Sequence, residues 1–135
     1  MSLIIRCEDD NSISRAARAL ADGELVIFPT ETVYALAARA DSDAAIDKIY
    51  AAKQRDVKKA LTLMASSFPL IAANFLPDPR LEKLIARFSP GPITVIARCK
   101  KELPSLSKKV NLANETWLGV RIPDHEWALE LLSRL

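Results

Sequence analysis

Cations and hydroxyls are the residues of this sequence best placed to do chemistry. Lys53, Arg55, Lys58 and Lys59 crowd the stretch K-Q-R-D-V-K-K at 53–59. In an extended chain Lys53 and Arg55 point the same way, and Lys59 follows at the mouth of the next strand. Cations converging there can hold a triphosphate, arginine as a planar fork and lysine as a point charge. The same side chains can also simply oppose a helix dipole and face water. Arg121 lies in the apolar run L-G-V-R-I-P-D-H at 118–125. An arginine in such a strand needs a partner. That partner is either an acidic side chain, as structure, or a ligand carboxylate gripped by two hydrogen bonds. Thr30, Glu31 and Thr32 form a polar triplet between apolar segments. Thr30 and Thr32 project to one side of extended backbone, where they can hold a small polar ligand. Turn chemistry is the other reading, with both hydroxyls satisfying nearby backbone groups. Thr94, after the stiff turn S-P-G-P, reads as shape rather than chemistry.

The missing constellations narrow the chemistry further. There is no G-x-S-x-G, and neither standard phosphate loop occurs. His125 has no second histidine for a metal site, and Cys7 and Cys99 fit no metal spacing. No metal ligands are therefore expected. Cations and hydroxyls without an evident base suit a reaction run by positioning and charge neutralisation, such as nucleotidyl or phosphoryl transfer.

These groups need a scaffold. The 135 residues, half of them apolar and 27% charged, predict one soluble domain over 1–135. No apolar run is long enough for a membrane span, the N-terminus does not read as a signal peptide, and the cysteines read as reduced thiols. Together these predict a cytoplasmic protein. The net charge of +2 neither demands nor excludes a polyanion.

Leu3–Arg6 reads as a short strand. A helix capped by Asn11 or Ser12 runs to about Ala21, with Gly23 as its stop. Leu25–Phe28 reads as a strand buried on both faces and ended by Pro29, with a second extended segment in Val33–Ala38. Asp41 or Ser42 caps a helix with Ala45, Ile46, Ile49 and Tyr50 inward. A strand at Leu61–Met64, a weak helix at Pro69–Phe75 and a helix capped by Asp78 follow. Strands are expected at Ile93–Cys99 and Trp117–Ile122, with a mobile loop over 100–116 between them. Asp124 caps the last helix. Strands alternating with helices predict α/β architecture around one main sheet.

Several motifs together resemble one family. F-P-T-E-T-V-Y-A-L-A, A-A-K-Q-R, K-A-L-T-L-M, S-P-G-P-I-T-V-I and G-V-R-I-P-D-H occur in the order and spacing of the YrdC-like threonylcarbamoyl-adenylate synthases. The resemblance runs from about Ser12 to the end. It implies a twisted, open, mixed sheet with flanking helices around a concave basic cavity. It implies synthesis of threonylcarbamoyl-AMP and pyrophosphate from L-threonine, bicarbonate and ATP, with Mg2+, for the t6A modification of tRNA. By motif position, Thr32 and Arg121 would bind L-threonine. Lys53, Arg55 and Lys59 would bind ATP, with Lys53 and Arg55 acting in catalysis. Other t6A-pathway proteins and tRNA or double-stranded RNA are the implied partners. Ala35 stands where the family usually has glycine, Ala60 where it has proline, and Met64 where some members have histidine. The family also continues with a Ser-Ala-Asn strand beyond the motifs present here, so an open sheet edge is expected. Two alternatives stand beside the synthase: a degenerate, non-catalytic family member, and, from a different class, an RNA-binding module. In it Lys100, Lys101, Lys108 and Lys109 join the 53–59 cluster to contact the backbone of structured RNA.

Overall fold

The computed structural model describes residues 2–56, 58–111 and 116–135. The first helix, α1 (Ser12–Ala21), forms because Ala16 and Leu20 share a stripe that can be buried. It ends at Gly23, whose φ of +81° is left-handed. Glu24 N then reaches Ala19 O and Gly23 N reaches Leu20 O, so the last carbonyls are satisfied. The chain turns into β1 (Val26–Phe28), which pairs antiparallel with β2 (Ala35–Ala37). This is a separate two-stranded sheet. Phe28 is buried while Ile27 is 67% exposed, so β1 buries one face rather than two. Leu3–Arg6 forms no strand, and Leu3 and Ile4 are exposed.

Helix α2 (Asp43–Lys53) starts at Ser42, whose hydroxyl accepts from Ala45 N at 3.2 Å. A mixed sheet then runs in the order β3 (Leu63–Met64), β5 (Trp117–Arg121), β4 (Val95–Arg98). β3 is parallel to β5, and β4 is antiparallel to it. Among the described residues the fold is therefore α/β with two small sheets, not one. The expected weak helix over Pro69–Phe75 is a pair of 3-10 turns, Phe68–Leu70 and Ala72–Asn74. Helix α3 (Pro79–Phe88) begins at Asp78, which accepts from Arg80 N at 2.9 Å, with proline in its first turn. Helix α4 (Glu126–Ser133) is capped by His125 rather than Asp124: His125 Nδ1 accepts from Ala128 N at 3.3 Å.

The expected mobile loop carries a 3-10 turn, Lys108–Asn111, in which Val110 and Asn111 are buried. Ser107 N donates to Ala40 O at 2.8 Å, and Lys109 pairs with Asp47 at 2.5 Å. Residues 112–115 of that loop lie outside the described residues.

Two apolar cores result. One joins the inner face of β3–β5–β4, through Leu63, Val95, Leu118 and Val120, to α2 and α3. The other packs Leu20 of α1 and Leu131 of α4 on Phe28. Burying a leucine fully contributes about 1.5–3 kcal/mol, so each core is a substantial share of stability. Val120 and Leu118 face the first core, which turns Gly119 and Arg121 to the opposite side of β5.

Candidate functional site

At the Arg121 end of β5 a cavity of about 820 Å3 opens. Thr30, Lys53, Arg55, Thr62, Thr94 and Arg121 are among its lining residues. Its apolar wall comes from both cores, with Phe28 from one and Ile46 from the other.

Arg121 sits at the end of β5, where Met64 is its neighbour on β3. Its side chain is only 13% exposed, and that of Glu31, its ion-pair partner, is 20% exposed. Arg121 Nη2 donates to Glu31 Oε1 and, at 3.0 Å, to Thr32 Oγ1. The other oxygen of Glu31 accepts from Asp124 N. Arg121 Nε is buried without a hydrogen-bond partner. Among the described residues nothing accepts from Nη1 either. The acidic partner that an arginine in an apolar strand requires is thus Glu31, and one edge of the guanidinium stays uncommitted.

The hydroxyls continue this network. Thr30 Oγ1 donates to Val33 O at 2.5 Å and accepts from Thr32 N at 3.2 Å. Its proton is therefore spent, so across the 3.2 Å between the two hydroxyls Thr32 is the donor. Protons run in one direction, from Arg121 through Thr32 and Thr30 to Val33 O. The turn reading and the ligand-grip reading of this triplet coexist. Thr30 closes the turn and lines the cavity, whereas Thr32 contacts Arg121 and is not among the lining residues. Ala35 does not adopt a positive φ; it lies in β2 opposite Phe28.

The cations are placed differently from an extended strand. Lys53 ends α2, and Gln54 turns left-handed at φ 50°, which lets Arg55 N reach Tyr50 O at 3.0 Å. Lys53 and Arg55 nonetheless both line the cavity. Arg55 spends part of its fork on the backbone: Nη2 donates to Ala60 O at 2.9 Å and Nε to Lys59 O at 3.4 Å. Tyr50 Oη donates to the same Lys59 carbonyl at 2.9 Å. These bonds hold the segment around Ala60, where no proline stiffens it. Lys59 is exposed and is not among the lining residues, and Val57 lies outside the described residues.

The sequence did not single out Thr62, read Thr94 as shape, and offered Glu31 only as the middle of the polar triplet; Thr62 and Thr94 line the cavity, and Glu31 pairs with Arg121. Thr94 precedes Val95, which pairs with Val120, so it comes up beside Arg121. A Cβ on Gly119 would meet Thr94 Cγ2 at 3.1 Å and Thr62 Oγ1 at 3.2 Å, so both threonines close over that glycine. Strand register would have found them; the lettering alone did not. Among the described residues no group of three or more His, Cys, Asp or Glu side chains could hold a metal. No helix among them is long and apolar enough to cross a membrane.

Comparison with known proteins adds the following. A family model named Sua5_yciO_yrdC, described as telomere recombination, matches residues 18–135. A threonylcarbamoyl-AMP synthase of Bacillus subtilis (strain 168) is 39% identical over 125 residues, covering 92% of this chain and 35% of that protein. The crystal structure of P. abyssi Sua5 complexed with L-threonine matches with a TM-score of 0.81 at 33% identity, over 90% of this chain and 35% of that one. E. coli YciO shares the fold, with a TM-score of 0.79 at 22% identity over 91% of this chain and 58% of that one. The chain spans little more than a third of such curated relatives: 35% of the Bacillus subtilis protein and 39% of a threonylcarbamoyl-AMP synthase of Pyrococcus abyssi (strain GE5 / Orsay).

Proposed function

Because the chain belongs to the Sua5/YciO/YrdC family, we propose that residues 1–135 form a single domain that makes L-threonylcarbamoyladenylate and pyrophosphate from L-threonine, bicarbonate and ATP. The observation that carries this reading is that Thr30 and Arg121 line the same cavity as Lys53 and Arg55. An amino acid has a carboxylate and a nucleotide has phosphates, and one hollow offers donors for both. The relatives named as threonylcarbamoyl-AMP synthases support the same activity.

In this reading Arg121 holds the threonine carboxylate, and Thr32 keeps the guanidinium in place and contacts the amino acid. Lys53 and Arg55, which line the cavity, take the ATP phosphates; Lys59, exposed and outside the lining, joins them in this reading by motif position alone. The threonine amine captures bicarbonate, losing water, to give a carbamate. A carbamate oxygen then attacks the α-phosphorus in line, the bond to the β-phosphate oxygen breaks, and pyrophosphate leaves. Lys53 and Arg55 neutralise the charge that builds on the phosphates, which is where such a reaction needs help. The apolar wall limits water around a carbamate and a mixed anhydride, both of which hydrolyse. Mg2+ takes its ligands from substrate phosphates and water more than from protein cages. In this reading Mg2+ would be held through the ATP phosphates that Lys53 and Arg55 contact. The product goes to tRNA for t6A formation, through other proteins of that pathway, in the cytoplasm.

The test is pyrophosphate release from ATP in the presence of L-threonine and bicarbonate. Release that requires threonine, and that Arg55→Ala abolishes, is the expected outcome. Release indifferent to threonine, or none at all, contradicts the assignment.

A further inference from the structure

The Glu31–Arg121 pair does more than tie two sheets together. Resting on the synthase reading, we propose that Glu31 is a positioning and specificity residue that reserves the Arg121 end of the cavity for a monocarboxylate and excludes phosphates from it. Arg121, Lys53 and Arg55 line one cavity. A substrate with several negative charges is drawn to any unpaired cation in it. Something must therefore make the cations unequal. Lys53 and Arg55 form no ion pair among the described residues, whereas Arg121 is paired with Glu31 through side chains that are only partly exposed. That pair carries no net charge, so the long-range pull on a phosphate is cancelled at this end.

Cancelling the charge does not remove the donors. Glu31 and Thr32 together occupy Nη2. Nε is buried, so the edge left for a ligand is Nη1. A ligand carboxylate is thus held end-on by a directional donor, rather than by the two-toothed fork the sequence predicts. Glu31 is itself fixed from the far side by Asp124 N. The guanidinium therefore cannot swing toward the phosphate end without breaking both contacts. Removing Glu31 leaves a poorly solvated arginine without a counter-ion, a change that strongly favours any anion able to replace it.

Side-chain NMR of 15N-arginine-labelled protein reads this directly, with the Arg121 resonances identified as those missing from Arg121→Lys. In the wild type, L-threonine shifts the Arg121 guanidinium signals and inorganic pyrophosphate does not. In Glu31→Ala, pyrophosphate shifts those signals and weakens threonine binding tenfold or more. Glu31→Gln keeps the acceptor for Asp124 N and guards against a folding defect; it too admits pyrophosphate. If pyrophosphate reaches Arg121 equally in wild type and both variants, or threonine affinity is unchanged in them, the proposal is wrong. If wild-type protein binds no threonine, the synthase reading fails, yet the pyrophosphate comparison still decides the role of Glu31.

Discussion

Arg121 shows how far a single residue can be read in advance. Its position in an apolar strand demanded a partner, and the partner is Glu31, ninety positions earlier in the chain. Sequence spacing carries no information about that pairing, because the two residues meet only when the β1–β2 turn folds over the end of β5. Arg121→Lys replaces a planar group that reaches both Thr32 and Glu31 by a point charge that cannot hold both while offering Nη1. Threonine affinity should fall about tenfold, at the cost of one charge-assisted hydrogen bond, with ATP affinity unchanged. Calorimetric titration of each ligand checks this, and unaltered threonine affinity would remove Arg121 from the site. Lys53 and Arg55 were recognisable as candidates from charge alone. That Arg55 also binds the backbone at Lys59 and Ala60 was not, since it depends on the left-handed Gln54 turning the chain back.

The elements were more legible than their pairing. Helices α1, α2 and α3 follow from apolar stripes and from punctuation at Ser42, Asp78 and Gly23. The failures have physical causes. Leu3–Arg6 has apolar residues but nothing to pair with, and isolated extended chain gains little. His125 rather than Asp124 caps α4: its ring Nδ1 accepts from Ala128 N, while Asp124 stands one residue further out with its N–H held by Glu31. The lysine-rich segment over 100–111 looked like a loop by composition, yet Val110 enters the core and Ser107 is anchored to Ala40 and Asp43. The S-P-G-P turn, expected to be rigid, is tight at its glycine. A Cβ on Gly91 would stand 2.5 Å from Phe88 O, a backbone atom with little freedom, while Gly91 N donates to Ile122 O beside the site. Gly91→Ala should therefore destabilise by about 1–3 kcal/mol, the usual range for overpacking. Urea unfolding measures it, and an unchanged midpoint would show that the turn can relax.

At the scale of the whole molecule, the two cores and the cavity between them explain why the site sits where it does. Each small sheet spends one face on its own core, and the other side of β5 is left for Gly119 and Arg121. The α/β class was legible from alternating patterns. Division into two sheets was not, because hydrophobic periodicity reports burial and not which strands share a ladder. For the proposed synthesis, an amino acid and a nucleotide must occupy the same hollow side by side. Interligand nuclear Overhauser effects, recorded with L-threonine and a non-hydrolysable ATP analogue on the unlabelled protein, test this most directly. Cross-peaks between threonine protons and the ribose 5′ protons, lost in Arg121→Lys and in Arg55→Ala, are the predicted result. Both ligands bound, with each independent of the other and no cross-peak between them, would contradict it.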